Sequence, residues 1–191
     1  MKSRPRADYR AATRHLRHAV VAALMFVTAL AQAAPSADEF LRAVRLADAT
    51  NVAAYIAANG NLGITDRSGR PPLHVAVRHG HLEITEQLIA AEANVNERDA
   101  DGWTALHFAA ESGDLDAISL LLAAGANVNA SDPYRYMPLH LAAREGHDAA
   151  CEKLISAGAD VRAAIDVGFT AADLAEAFPE LRDWLLARES P

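Results

Sequence analysis

Residues 70–96 read RPPLHVAVRHGHLEITEQLIAAEANVN, residues 103–129 read WTALHFAAESGDLDAISLLLAAGANVN, and residues 136–162 read YMPLHLAAREGHDAACEKLISAGADVR. Laid under one another they agree at a step of 33 residues: His74, His107 and His140; Gly80, Gly113 and Gly146; Asn94, Asn127 and Asp160. Just outside the quoted stretches, Asp66, Asp99 and Asp132 keep the same step. A strict period of this size marks an array in which no unit buries its own apolar face and stacking makes the core.

The chemistry within one unit explains its shape. Asp99-Ala100-Asp101-Gly102 is a turn, because Asp bonds its own backbone and Gly allows positive φ. Thr104 stands where it can cap a helix, and Pro72 and Pro138 stand at a first helical position, where no N–H is needed. Leu106, Ala109 and Ala110 fall on one apolar stripe, and the alanines let neighbouring helices approach closely. Gly113 ends this short helix. A second helix is predicted from about Leu115 to Ala124, with Ile118, Leu121 and Leu122 inward. Gly125 ends it in the left-handed region.

The T-P-L-H-x-A pattern, present as PPLHVA, TALHFA and MPLHLA, resembles the ankyrin repeat. The resemblance covers nearly everything after residue 33. It implies an all-α solenoid of helix-turn-helix units with hairpin-like turns, about five repeats including caps. The repeats are placed at 65–98, 99–131 and 132–164, with an N-terminal capping repeat at 34–64 and a C-terminal capping repeat at 165–191. In the front cap, Arg42 and Arg45 point outward while Leu41, Val44 and Ile56 face in. In the rear cap, Asp173 takes the place of the repeated His, and Leu181, Trp184 and Leu185 close the stack.

Some positions depart from the pattern. Glu92 sits where Gly125 and Gly158 sit, and a non-Gly residue in the left-handed region costs on the order of 1 kcal/mol. Pro71 and Met137 replace the capping Thr, each losing about 1 kcal/mol of cap. Arg135 replaces the turn glycine of Gly69, Gly102 and Gly168, so that turn must change shape or accept positive φ.

Working outward to the first residues, Lys2, Arg4, Arg6, Arg10, Arg14 and Arg17 face a single acid, Asp8. An uncharged apolar run, AVVAALMFVTALA, follows from Ala19 to Ala31, and then Ala31-Gln32-Ala33. Basic, apolar, then small-x-small is the layout of a secretory signal, expected at 1–33 and cleaved. Thirteen apolar residues fall short of the roughly 20 that span a membrane. A retained anchor and a transit peptide are the weaker readings. Removing six basic residues and one acid from the chain's 18 Lys plus Arg and 25 Asp plus Glu leaves 12 against 24, net −12. That surface repels phosphate, so neither nucleic acid nor, after signal cleavage, a membrane is expected as a partner. With the single cysteine Cys151, the fold is held by packing and not by an internal disulfide.

No catalytic motif emerges. The three repeated histidines stand one repeat step apart, about 8–10 Å, too far to share a zinc ion that needs nitrogens near 2 Å. The ankyrin resemblance assigns them to bracing the neighbouring turn. His79, His81 and His147 are read as surface loop residues, and Cys151 as core, in a column with Thr85 and Ile118. We expect no enzyme, no cofactor and no metal, with a metal or redox binder using His79, His81, His147 or Cys151 as the alternative of another class.

In the ankyrin family the turn tips and first-helix face line a concave binding groove. By register, Arg70, Trp103, Tyr136 and Phe169 form one column after the turn, expected to be exposed. Tyr134 lies beside them, and Arg78, His79, Glu111, Ser112, Arg144 and Glu145 come next inward. Trp, Tyr and Arg are the common anchors of interfaces. The expected partner-binding set is therefore Arg70, Arg78, His79, Trp103, Glu111, Tyr134, Tyr136 and Arg144, unless the aromatic ladder only packs turn on turn. The sequence reading is a monomeric, exported, bacterial module, periplasmic or secreted, that binds one protein partner. It could regulate, stabilise or inhibit a periplasmic protein, act as an immunity-type toxin inhibitor, or be a secreted effector.

Overall fold

The computed structural model of the chain describes residues 35–189. The expected signal segment, residues 1–33, lies outside the described residues. Ten helices follow in pairs: α1 (Ala37–Arg45) and α2 (Ala49–Ala57), α3 (Pro72–Arg78) and α4 (Leu82–Ala90), α5 (Ala105–Ser112) and α6 (Leu115–Ala123), α7 (Pro138–Arg144) and α8 (Asp148–Ser156), α9 (Ala171–Leu174) and α10 (Pro179–Glu189). Among the described residues there is no strand, and the isolated bridge Ala164–Thr170 closes the last turn.

The first helices α1, α3, α5, α7 and α9 stack in one layer, and α2, α4, α6 and α8 in a second. Ala76, Ala109, Ala110, Ala142 and Ala143 are fully buried where first helices meet. Their small size lets the first helices of that layer approach closely. Ile84, Leu88, Ile118, Leu121 and Leu154 fill the space between the layers. Leu122 is only half-buried against this core. Cys151 is fully buried beside Ile118 and Thr85 in register, and burial pushes its thiol up to about 12. The thiol is therefore protonated and inaccessible at any ordinary pH.

Each end of the stack is a helix pair whose first helix starts with a capping box. Ser36 and Glu39 make a reciprocal capping box at the start of α1. Val44 is fully buried while Arg42 and Arg45 are exposed. At the rear, Thr170 and Asp173 make a second capping box, so Asp173 replaces the histidine with a carboxylate that caps its own short helix. Leu181 and Leu185 are buried and Trp184 is half-buried beneath them.

The left-handed positions are where the sequence departures said they would be. Glu92 has φ 61° and Arg135 has φ 67°, matching Gly125 at 86° and Gly102 at 85°. The turn at Arg135 keeps its hydrogen bonds, from Arg135 N–H to Asp132 O at 3.0 Å and from Asp132 N–H to Tyr136 O at 2.9 Å. The turn therefore accepts positive φ and does not change shape. Two further non-glycine residues share this region, Ala47 at 59° and Asn59 at 55°, both in the front cap.

Candidate functional site

Each turn is built the same way. The Oδ1 of Asp66, Asp99 and Asp132 accepts two backbone N–H groups, from residues two and four places on, at 2.8–3.0 Å. The repeated histidines then tie each turn to its neighbour. His74 Nε2 donates to Trp103 O at 3.0 Å, His107 Nε2 to Tyr136 O at 3.2 Å, and His140 Nε2 to Ala163 O at 2.9 Å. In the last two, Nδ1 accepts the N–H of the cap residue, from Thr104 at 3.1 Å and from Met137 at 3.0 Å. That acceptance places the proton on Nε2 and makes the carbonyl bond a donation. Burial pushes all three below the ordinary histidine range, His107 to about 4. Both ring nitrogens of His107 and His140 are thereby engaged within the stack.

His81 and His147 lie in the loops just before the second helices, as expected, but are half-buried rather than free on the surface. They stand at the N-caps of α4 and α8. Their Nε2 atoms reach back one repeat, to Arg45 O at 3.0 Å and Glu111 O at 3.1 Å. The His147 ring lies over Gly113, where an added Cβ would meet it at 2.7 Å. Asp114 holds the same place at α6 and instead caps its own helix, accepting from Asp116 N and Ala117 N.

The expected exposed column is divided by the structure. Trp103 is half-buried. Its ring packs 5.8 Å from His107 and 5.0 Å from Phe108, and its indole N–H donates to Asp132 Oδ2 at 3.3 Å. Tyr136 is half-buried, edge-on to His140 at 6.3 Å. Arg70 is half-buried and pairs with Asp66 at 3.2 Å. Trp103 thus packs against the following turn through Asp132, Arg70 is held within its own turn, and Tyr136 lies against the histidine of its own repeat. Phe169 is exposed. Tyr134 is 69% exposed.

The register missed one residue. Val167 stands 33 residues after Tyr134, in the same column, and is 72% exposed. Asp166 N–H donates to Tyr134 O at 3.1 Å, so the two tips are adjacent. The same column holds Ser68 and Asp101 in the earlier turns. The turn tips thus change from polar to apolar along the stack, ending in Tyr134, Val167 and Phe169. That change could have been read from the 33-residue column.

The inner row at the ends of the first helices is charged. Arg78 is exposed and lies 5.5 Å over the Phe108 ring. His79 is exposed and stacks on His81 at 5.6 Å. Arg144 bridges Glu111 at 3.4 Å and Glu145 at 2.9 Å. Among the described residues no group of three or more His, Cys, Asp or Glu could hold a metal ion, and no helix is long and apolar enough to cross a membrane.

Compared with known proteins, the chain matches the family described as Ankyrin repeats (3 copies) over residues 40–132 and 100–165. No curated protein matches it.

Proposed function

Since the chain belongs to the ankyrin-repeat family, whose repeats are protein–protein interaction modules, we propose that it is an exported module that binds one protein partner along its concave face and turn tips. The observation that carries this is the apolar end of the turn row. Tyr134 on one turn, and Val167 and Phe169 on the next, are 69%, 72% and 52% exposed, each held by a hydrogen-bonded frame. Exposed apolar residues on a rigid frame lose little freedom when covered, so burial there yields affinity. The charged row Arg78, His79, Glu111 and Arg144, at the ends of successive first helices, extends the binding face from this end toward the front of the stack. The chain acts as a monomer, and its role is to regulate, stabilise or inhibit the protein that it holds. Inhibition of a toxin and action as a secreted effector are special cases of that role.

The export part rests on the basic, apolar, Ala-x-Ala order of residues 1–33. N-terminal sequencing of cell-derived protein tests it, with a start at or within one residue of Ala34 expected. Mature protein that retains Met1 would overturn it. The face is tested by placing a photo-crosslinker at Tyr134 or at Glu152, which is exposed on the second-helix side. Partner adducts are expected from Tyr134 and not from Glu152. The reverse pattern would move the site to the convex face.

A further inference from the structure

We propose that the front end of the first-helix face, centred on Arg45 and Arg78, holds a short acidic segment of the protein partner. This rests on the protein-binding reading and adds the chemistry of what is bound.

Charge is spread unevenly along the stack. Residues 35–81 hold five arginines against four acids, while residues 82–191 hold seven basic residues against twenty acids. The four front acids are engaged elsewhere. Asp38 and Glu39 lie in the first turn of α1, at the far end from Arg45. Asp48 caps α2 through Asn51, and Asp66 pairs with Arg70. Arg45 and Arg78 end α1 and α3, are exposed, and have no ion-pair partner among the described residues. The bond from His81 Nε2 to Arg45 O at 3.0 Å fixes these two helix ends against each other. The stacked His79 ring stands beside them. Burial, and then the neighbouring His81 ring and the guanidiniums of Arg45, Arg78 and Arg70, hold the His79 imidazole below its ordinary range. The basic character stops at the next repeat, where Glu111 takes the arginine place and neutralises Arg144.

An acidic protein that keeps two exposed arginines without ion-pair partners at the ends of successive first helices presents a local anion site. Adjacent first helices lie about 8–10 Å apart. An extended chain rises about 3.3 Å per residue, so carboxylates three residues apart reach both arginines. Leu46, 64% exposed directly after Arg45, offers an apolar contact beside them. A nucleic acid is disfavoured, because its charge continues along its length and the following repeats are strongly acidic. A short segment of the form acid-x-x-acid with a neighbouring apolar residue meets the site and leaves the acidic repeats untouched.

The test is selection of random displayed dodecapeptides on the full chain. Enriched sequences are expected to carry Asp or Glu three residues apart. A synthetic peptide from that set should bind the double variant Arg45→Glu, Arg78→Glu about tenfold or more weakly, and should lose affinity as salt is raised. The charge-matched control Arg182→Glu, Arg188→Glu, at the rear cap, should bind within about twofold of the original, since charges at the other end of the stack are screened. Circular dichroism of both variants should be unchanged. Enriched peptides without acidic excess, or full affinity in the front variant, would overturn this inference and leave the protein-binding reading intact. A labelled single-stranded oligonucleotide that displaces the peptide would overturn the partner class. Failure of any peptide to enrich would count against the protein-binding reading itself.

Discussion

The buried Nδ1 of His74 has no hydrogen-bond partner because Pro71, three residues before it, has no N–H to offer. Thr104 and Met137 hold the same place in the next two repeats, and there the backbone N–H reaches His107 and His140 Nδ1 at 3.1 and 3.0 Å. Thr104 adds its hydroxyl, 2.9 Å from the same nitrogen. The first full repeat therefore lacks half of the bracing that the others have.

Pro71→Thr should restore that bracing. Satisfying a buried acceptor is worth about 1–3 kcal/mol, against about 0.4–1 kcal/mol lost because the unfolded chain gains freedom without the proline. The extended backbone at Pro71, φ −61° and ψ 159°, suits Thr. The expected result is a gain of about 1 kcal/mol in chemical denaturation. An unchanged or lower midpoint would show that water or local adjustment already serves His74.

Acid should destabilise the stack in a defined window. The folded histidines sit below the unfolded value of 6.5, and His107 sits at about 4. The folded state therefore binds fewer protons than the unfolded chain between these values. Stability is complete above about pH 6.5 and falls as pH drops toward 4, where His107 itself begins to charge. For His107 alone the loss is on the order of 3 kcal/mol, since each tenfold fall in proton affinity on folding corresponds to about 1.4 kcal/mol. Denaturation midpoints measured from pH 8 to pH 4 check this, and a flat profile would contradict it.

The two left-handed non-glycines in the body of the stack carry backbone strain. Glu92→Gly and Arg135→Gly should each stabilise by about 0.5–1 kcal/mol. No atom lies within 4 Å of a Cβ built at the equivalent Gly125 or Gly158, so the strain at Glu92 comes from φ and not from crowding. A falling midpoint for either variant would reveal a compensating side-chain contact.

The aromatic residues of the turns should separate into two groups. Trp103→Ala should lower stability by about 2–3 kcal/mol, less than for a fully buried Trp because the ring is half exposed. Tyr134→Ala and Phe169→Ala should change stability by no more than about 0.5 kcal/mol, since both are exposed. Each should weaken partner binding by about 2 kcal/mol, roughly thirtyfold, if it is an anchor. Thermal melts beside binding titrations measure both quantities. Full affinity in the Tyr134 and Phe169 variants would remove the turn tips from the site.

The 33-residue step was sufficient to determine the helix pairs and turns of the three full repeats and the left-handed positions of Glu92 and Arg135. These features are local or repeated, so each unit states them again, and an error in one is corrected by the next. Exposure in the aromatic column is a different kind of property. Tyr134 and Tyr136 are two residues apart on one turn, yet only the first is free, because the second is edge-on to His140 beneath it. Trp103 is covered through Asp132 and Phe108, which arrive from the next turn and the adjoining helix. The bonds from His81 to Arg45 O and from His147 to Glu111 O cross 36 residues, three more than the repeat step. Which groups a neighbouring repeat covers, and which arginines it leaves unpaired, depends on how the units dock. That docking is set by side-chain packing between units, which the period places in register but does not itself resolve.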